Sequence, residues 1–289
     1  MTEQKKTIGL GWQLAFAATS GCSATVVVQP MDLIKNRMQT SPGLGVGSCV
    51  KNIITEGGPT ALWTGLGAGL LRQCSYTTVR LGVYRKMEES YTANNFFEKL
   101  LMGGSAGFVG SLFGNPAEVA LIRMCADGNL PVAERRGYTS AFNALSRIVK
   151  EEGLATLWRG STPTIARAIV VNAAQLGTYS QAKESIRKGV GLNDGILLHF
   201  CAAMVSGMVT TIASMPVDIV KTRLQCQKYV NGVPEYKGVI DVFSRIIKAE
   251  GVLSLWSGFW PYYFRLGPHT VITFILVEQL KDLYLNASK

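Results

Sequence analysis

The chain has 289 residues, 47% of them apolar and only 17% charged, below the roughly 25% charged content of soluble domains, so the balance leans toward a membrane bundle. A net charge of +10 suits anionic partners, but no Lys/Arg block with interleaved aromatics appears, which excludes a dedicated nucleic-acid binder. Six cysteines without a CxxC pair, and only two histidines, exclude a disulfide framework and a zinc site; single cysteines buried as small hydrophobes are expected.

In chain order, the opening MTEQKKTIGL lacks the apolar core of a secretory signal and the Arg/Ser-rich character of a transit peptide, so any organelle address is expected to be internal. Residues 8–31 carry no charge over a length that spans a bilayer. They run into PMDLIKNRMQ at Pro30, where a helix breaker meets an acid and two bases. The glycine-rich SPGLGVGSCV that follows predicts a truncated or poorly ordered surface helix. EGGPTALWTG begins at Glu56, and residues 65–84 form a weaker span containing Arg72 and Arg80.

The order then repeats. An uncharged run at 100–117 leads to PAEVALIRMC at Pro116, and EGLATLWRG starts at Glu152 before a span at 161–182 with Arg167. A third run at 195–217 leads to PVDIVKTRLQ at Pro216, and EGVLSLWSG starts at Glu250 before a span at 258–277 with Arg265. The polar segments between have helical period: 138–151 aligns Phe142, Leu145, Ile148 and Val149, and 239–250 aligns Val242, Phe243, Ile246 and Ile247. The fold class is therefore an all-α membrane protein. One domain, residues 1–289, holds six transmembrane helices in three pseudo-threefold repeats (about 8–90, 96–188 and 195–285) with short amphipathic helices on one side. Small residues at four-residue spacing, Ala17/Gly21, Gly103/Gly107 and Ala203/Gly207, would let helices approach closely.

Three copies of proline-x-acid-x-x-base, each followed by acid-glycine and a tryptophan-x-glycine, resemble the mitochondrial carrier family across essentially the whole chain. The phrases LLRQCSYTTVRLGVY (70–84), GNPAEVALIRM (114–124), ARAIVVNAAQLGTYSQAK (166–183) and PYYFRLGPHTVITF (261–274) look like those of its dicarboxylate-exchanging members. The resemblance implies antiport of 2-oxoglutarate for malate or another dicarboxylate across the mitochondrial inner membrane. The alternatives are a regulated proton leak of the uncoupling type and dicarboxylate/phosphate exchange. Bases concentrate on the loop side, which places that side in the matrix and both termini in the intermembrane space.

The resemblance also implies roles for residues. Asp32, Lys35, Glu118, Asp218 and Lys221 would form a matrix gate, Lys35 with Asp218 and Lys221 with Glu118, with Gln39 and Gln225 as braces. Leu121 stands where a base should meet Asp32, so this gate is expected one bridge short. Arg37, Arg123 and Arg223 fit a snorkelling role. A weak cytosolic gate would use Arg85, Glu88, Lys183, Glu278 and Lys281.

Between the gates, Arg72, Tyr76 and Arg80 share a helix face. With Arg167 and Arg265 they make a ring whose guanidinium forks suit the two carboxylates of a diacid. Asn172, Gln175 and His269 are polar neighbours, and no acid within those spans is available to pair with the arginines. Trp63, Trp158 and Trp256 are expected at the membrane interface, and the glycine-led helix starts are expected to bind cardiolipin. No Ser/His/Asp set or phosphate loop is readable, and His199 and His269 lack catalytic partners, so no catalytic residue, metal or cofactor is expected. A monomer is expected.

Overall fold

The computed structural model describes residues 9–41, 43–91, 96–131, 134–158, 160–190, 196–227, 229–230 and 233–287. Six long helices dominate them: α1 (Leu10–Thr40), α3 (Leu66–Ser90), α4 (Phe96–Asp127), α6 (Ser161–Val190), α7 (Ile196–Cys226) and α9 (Phe259–Ala287). Three short helices lie between: α2 (Val46–Gly57), α5 (Ala141–Glu152) and α8 (Val239–Glu250). A two-residue antiparallel pairing, β1 (Tyr229–Val230) with β2 (Val233–Pro234), is the non-helical addition. Each long helix packs on its neighbour in the chain and α9 returns to α1, closing a ring, while α1, α4 and α7 also touch one another. Among the described residues, α1 is the one helix that passes a length-and-apolarity test for crossing a membrane.

The glycine-rich start did not truncate the first short helix: α2 has 12 residues, as many as α5 and α8. Its glycines precede Val46 or fall on its outer face, while Cys49 and Ile53 are buried against α1 and α4. In α5 the buried residues are Ala141, Ala144 and Ile148, and of the aligned apolar residues Phe142 is 72% exposed. The helix is capped by Ser140, whose hydroxyl accepts from the Asn143 amide at 3.2 Å.

The prolines do not end their helices: α1, α4 and α7 run on through Pro30, Pro116 and Pro216. A proline has no N–H, so the carbonyl four residues earlier loses its helical donor. That carbonyl is filled each time by an indole. Trp63 Nε1 donates to Val26 O at 2.9 Å, Trp158 Nε1 to Leu112 O at 2.9 Å and Trp256 Nε1 to Ile212 O at 3.0 Å. The tryptophans close short 3₁₀ turns after α2, α5 and α8, so each acid-glycine-tryptophan motif is bonded to the proline helix of its own repeat.

Next comes a glycine in left-handed conformation that starts the following long helix and touches another repeat. Gly65 (φ 81°) lies against Leu121 and Cys125 of α4, Gly160 (φ 87°) against Gln225 of α7, and Gly258 (φ 83°) against the Lys35 backbone of α1. A Cβ on Gly258 would sit 3.2 Å from the Lys35 carbonyl oxygen and in a disfavoured φ. Gly258→Ala is expected to cost about 1–3 kcal/mol, read as a lowered unfolding temperature in detergent.

The four-residue small-residue pattern is only partly used. Gly21 is pressed on Gln73 of α3, but Gly103 and Gly107 have open space, and Gly207 meets only Leu266 at 3.9 Å. The close approach of α3 and α4 runs instead through Gly110, against Arg80 and the Tyr76 carbonyl, and Gly114, against Tyr76. The side chain of Ala203 lies outside the described residues.

Candidate functional site

The ring of long helices is tied at its proline end by ion pairs between repeats. Lys35 Nζ donates to Asp218 Oδ2 at 3.0 Å, and Lys221 Nζ to Glu118 Oε2 at 2.7 Å. The expected orphan is not one: Asp32 is ion-paired with Arg265 of α9. Gly258 lets the start of antiparallel α9 lie against Lys35, so Arg265, two turns along α9, reaches back to Asp32, one turn before Lys35. The arginines also find acids outside their own spans. Arg167 pairs with Asp218, which thus holds two cations.

A second ring lies just beyond, built by the three arginines assigned to snorkelling. All are buried. Arg37 Nε donates to Cys125 O at 3.3 Å, Arg123 Nε to Gln225 O at 3.0 Å and Arg223 Nε to Gln39 O at 3.0 Å, each reaching the equivalent carbonyl of the next proline helix. Arg123 and Arg223 are further held bidentately by Glu152 and Glu250. Glu56 breaks the pattern, pairing with Arg135 at 3.0 Å rather than with Arg37. Burial would raise the Glu152 carboxyl, but hydrogen bonds and charge from Arg123, and then from Arg136, hold it below the ordinary glutamate range. Of the two braces, Gln39 Oε1 accepts from Thr222 at 2.7 Å, and Gln225 packs against Gly160. Beyond this ring a cavity of about 610 Å³ opens on the loop side, lined in part by Arg123, Arg136, Arg223 and Glu152.

On the inner side of the ion pairs, a void of about 70 Å³ is lined by Arg72, Arg167 and Arg265 together with Asp32, Glu118 and Asp218. Three helices, α3, α6 and α9, thus aim one guanidinium each at one place. Arg72 differs from the other two: Arg167 and Arg265 are ion-paired with Asp218 and Asp32, whereas Arg72 makes no ion pair among the described residues. Arg80 does not line this void. It is exposed, with its guanidinium 5.8 Å from the Tyr76 ring. His269 is half-buried one turn after Arg265. The side chains of Asn172 and Gln175, on α6, lie outside the described residues, as does Arg159 of the WRG segment.

The sequence reading missed Tyr262. Its hydroxyl accepts from Arg167 Nη2 at 2.8 Å, and its ring lies 4.0 Å from Lys35 Nζ and 5.5 Å from the Arg265 guanidinium. One buried aromatic therefore touches three of the predicted cations. Its position three residues before Arg265, on the same helix face, was the available signal. Tyr262→Phe is expected to slow transport about tenfold, the loss of one hydrogen bond from a charged donor, while keeping the unfolding temperature close to that of the parent.

At the opposite end, Arg85 pairs within its own helix with Glu88 at 2.9 Å. Lys183 is half-buried on α6, while Glu278 and Lys281 on α9 are exposed and make no ion pair among the described residues. Contacts there include an aromatic cluster of Trp12, Phe16 and Tyr284 joining α1 to α9.

Comparison with known proteins agrees with this threefold build. A family described as "Mitochondrial carrier protein" matches three times, at residues 7–95, 92–190 and 193–288. The chain is 54% identical to a mitochondrial 2-oxoglutarate/malate carrier protein of Caenorhabditis elegans, over 95% of this chain and 93% of the relative. It is 53% identical to the protein of that name in Bos taurus, over 93% and 90%. With mitochondrial uncoupling protein 5 of Arabidopsis thaliana it shares 38%, over 92% and 94%. The chain belongs to the mitochondrial carrier family.

Proposed function

We propose that this chain is an antiporter of the mitochondrial inner membrane that exchanges 2-oxoglutarate for malate or a related dicarboxylate. The observation that carries the reading is the meeting of Arg72, Arg167 and Arg265, from three helices, at one void beside the interhelical ion pairs. Identity above 50% to carriers named for these two substrates supports the choice. The six long helices span the membrane as a monomer, with the proline end and short helices toward the matrix and both termini in the intermembrane space. Exposed Phe142 on α5 and Phe243 on α8 then face lipid rather than water. The glycine-led starts of α3, α6 and α9 offer backbone N–H groups to cardiolipin headgroups.

The acids beside the arginines suggest how binding is coupled to opening. In this state Asp218 and Asp32 hold Arg167 and Arg265 with their own carboxylates. An arriving diacid docks first on the unfilled side of Arg72, then competes for the other two forks. Each fork it takes loosens an acid of the gate, so the proline end opens only when substrate replaces those charges. No bond is made or broken in the substrate.

The test is counter-exchange in proteoliposomes: labelled 2-oxoglutarate against malate, phosphate, citrate, aspartate and ADP. Exchange with malate and other dicarboxylates, and none with ADP, is expected. Proton flux without counter-substrate, blocked by purine nucleotide and in place of exchange, would overturn the reading in favour of an uncoupling protein.

A further inference from the structure

α1 and α3 bring two thiols into contact where single buried cysteines were expected. Cys22 Sγ and Cys74 Sγ are 3.3 Å apart; Cys74 is exposed and Cys22 half-buried. Close packing holds them there. Beside Cys22, a Cβ on Gly21 would lie 2.3 Å from Gln73 Nε2, and one on Gly69 would lie 3.2 Å from Gln29 Oε1. Cys74 sits two residues from both Arg72 and Tyr76, which on a helix turns it away from the arginine stripe. The pair therefore occupies the outer seam between the two helices, apart from the residues assigned to substrate. The other cysteines differ: Cys49 and Cys125 are buried, and the Cys125 and Cys226 thiols point at carbonyl oxygens 3.9 and 3.8 Å away.

We propose that Cys22 and Cys74 are an oxidation site, forming a reversible disulfide that staples α1 to α3 and stops exchange; the second half rests on the antiport reading. The oxidant is a hydroperoxide, and the exposed Cys74 reacts first. Its thiolate attacks the peroxide, the O–O bond breaks, and an alcohol or water leaves as Cys74 becomes a sulfenic acid. Cys22 sulfur then attacks Cys74 sulfur, the S–S bond forms, and water leaves with the Cys22 proton. Two thiols and one hydroperoxide give one disulfide, one alcohol and one water. The staple fixes the two Cα atoms within about 4.4–6.8 Å. Asp32 and Lys35 ride on α1, and Arg72 rides on α3 beside Cys74. Opening the proline end moves these groups relative to one another, and the staple holds that motion.

The experiment treats the purified carrier in liposomes with tert-butyl hydroperoxide, then reads both peptide mass without reduction and exchange. A linked peptide pair containing Cys22 and Cys74, loss of exchange, and recovery of both on adding dithiothreitol are expected. Cys22→Ala and Cys74→Ala should exchange as the parent does and resist the peroxide. Failure to find the linked pair, a link to another cysteine instead, full exchange by linked protein, or inhibition that persists in Cys22→Ala would each overturn the proposal. Mass reports the link whatever the protein transports. Untreated carrier that exchanges no dicarboxylate at all contradicts the antiport reading, and the lock with it, while the oxidation site is still decided by mass.

Discussion

Arg167→Ala and Arg265→Ala are each expected to abolish dicarboxylate exchange in proteoliposomes. Each removes one of three guanidinium forks at the void, and a diacid needs cations at both ends. Their effects on stability should differ, because the acids left behind differ. Asp218, 3% exposed, keeps Lys35 when Arg167 is lost. Asp32, 8% exposed, loses its ion-pair partner when Arg265 is lost. Breaking such a buried pair costs about 3–5 kcal/mol, so Arg265→Ala should unfold at a clearly lower temperature than Arg167→Ala. Adding Asp32→Asn to Arg265→Ala should recover stability and leave exchange at zero. Undiminished exchange by both single variants would remove the arginines from the site.

The second large effect lies away from the void. Glu152 is 6% exposed and holds both Arg123, 4% exposed, and Arg136. Glu152→Ala strands a buried guanidinium and unties α5 from α4, a loss of about 3–5 kcal/mol. Glu152→Gln keeps an acceptor and should cost less. The carboxyl titrates below its unfolded value, because the arginine hydrogen bonds outweigh burial. Its contribution is therefore full above the ordinary glutamate range and is lost as pH falls through the lower folded value. Thermal unfolding followed from neutral to acid pH should show the parent losing stability at acid pH, with Glu152→Ala flatter across the same window. Equal acid slopes in the two would refute the assignment.

Elements with a short-range signature were legible. The prolines, acids and bases at fixed spacing, the tryptophan motifs and the uncharged runs reveal the threefold order, and the Lys35–Asp218 and Lys221–Glu118 contacts follow that order across repeats. Asp32 with Arg265 does not follow it. That pair joins a proline helix to an arginine-bearing one, and only the close approach at Gly258 creates it. The ring of Arg37, Arg123 and Arg223 was misread for another reason: the acceptors common to all three are backbone carbonyls, which no side chain announces. The glycine spacing erred in register, since residues 103, 107, 110 and 114 offer overlapping choices and only the last two face α3. Tyr262 was passed over because a tyrosine beside a proline in an apolar run reads equally well as filler.

The indole bonds across each repeat also bear on how the sequence can drift. Val26, Leu112 and Ile212 offer free carbonyls only because Pro30, Pro116 and Pro216 lack an N–H. With proline present, replacing the tryptophan by phenylalanine forfeits about 1 kcal/mol of hydrogen bond. With alanine in place of proline, the helix supplies its own donor and the same replacement forfeits nothing through that bond. Proline and tryptophan are thus epistatic, though each pair is separated by an entire short helix. Losing the indole first orphans a carbonyl, whereas losing the proline first makes the indole dispensable, so neutral change has one permitted order.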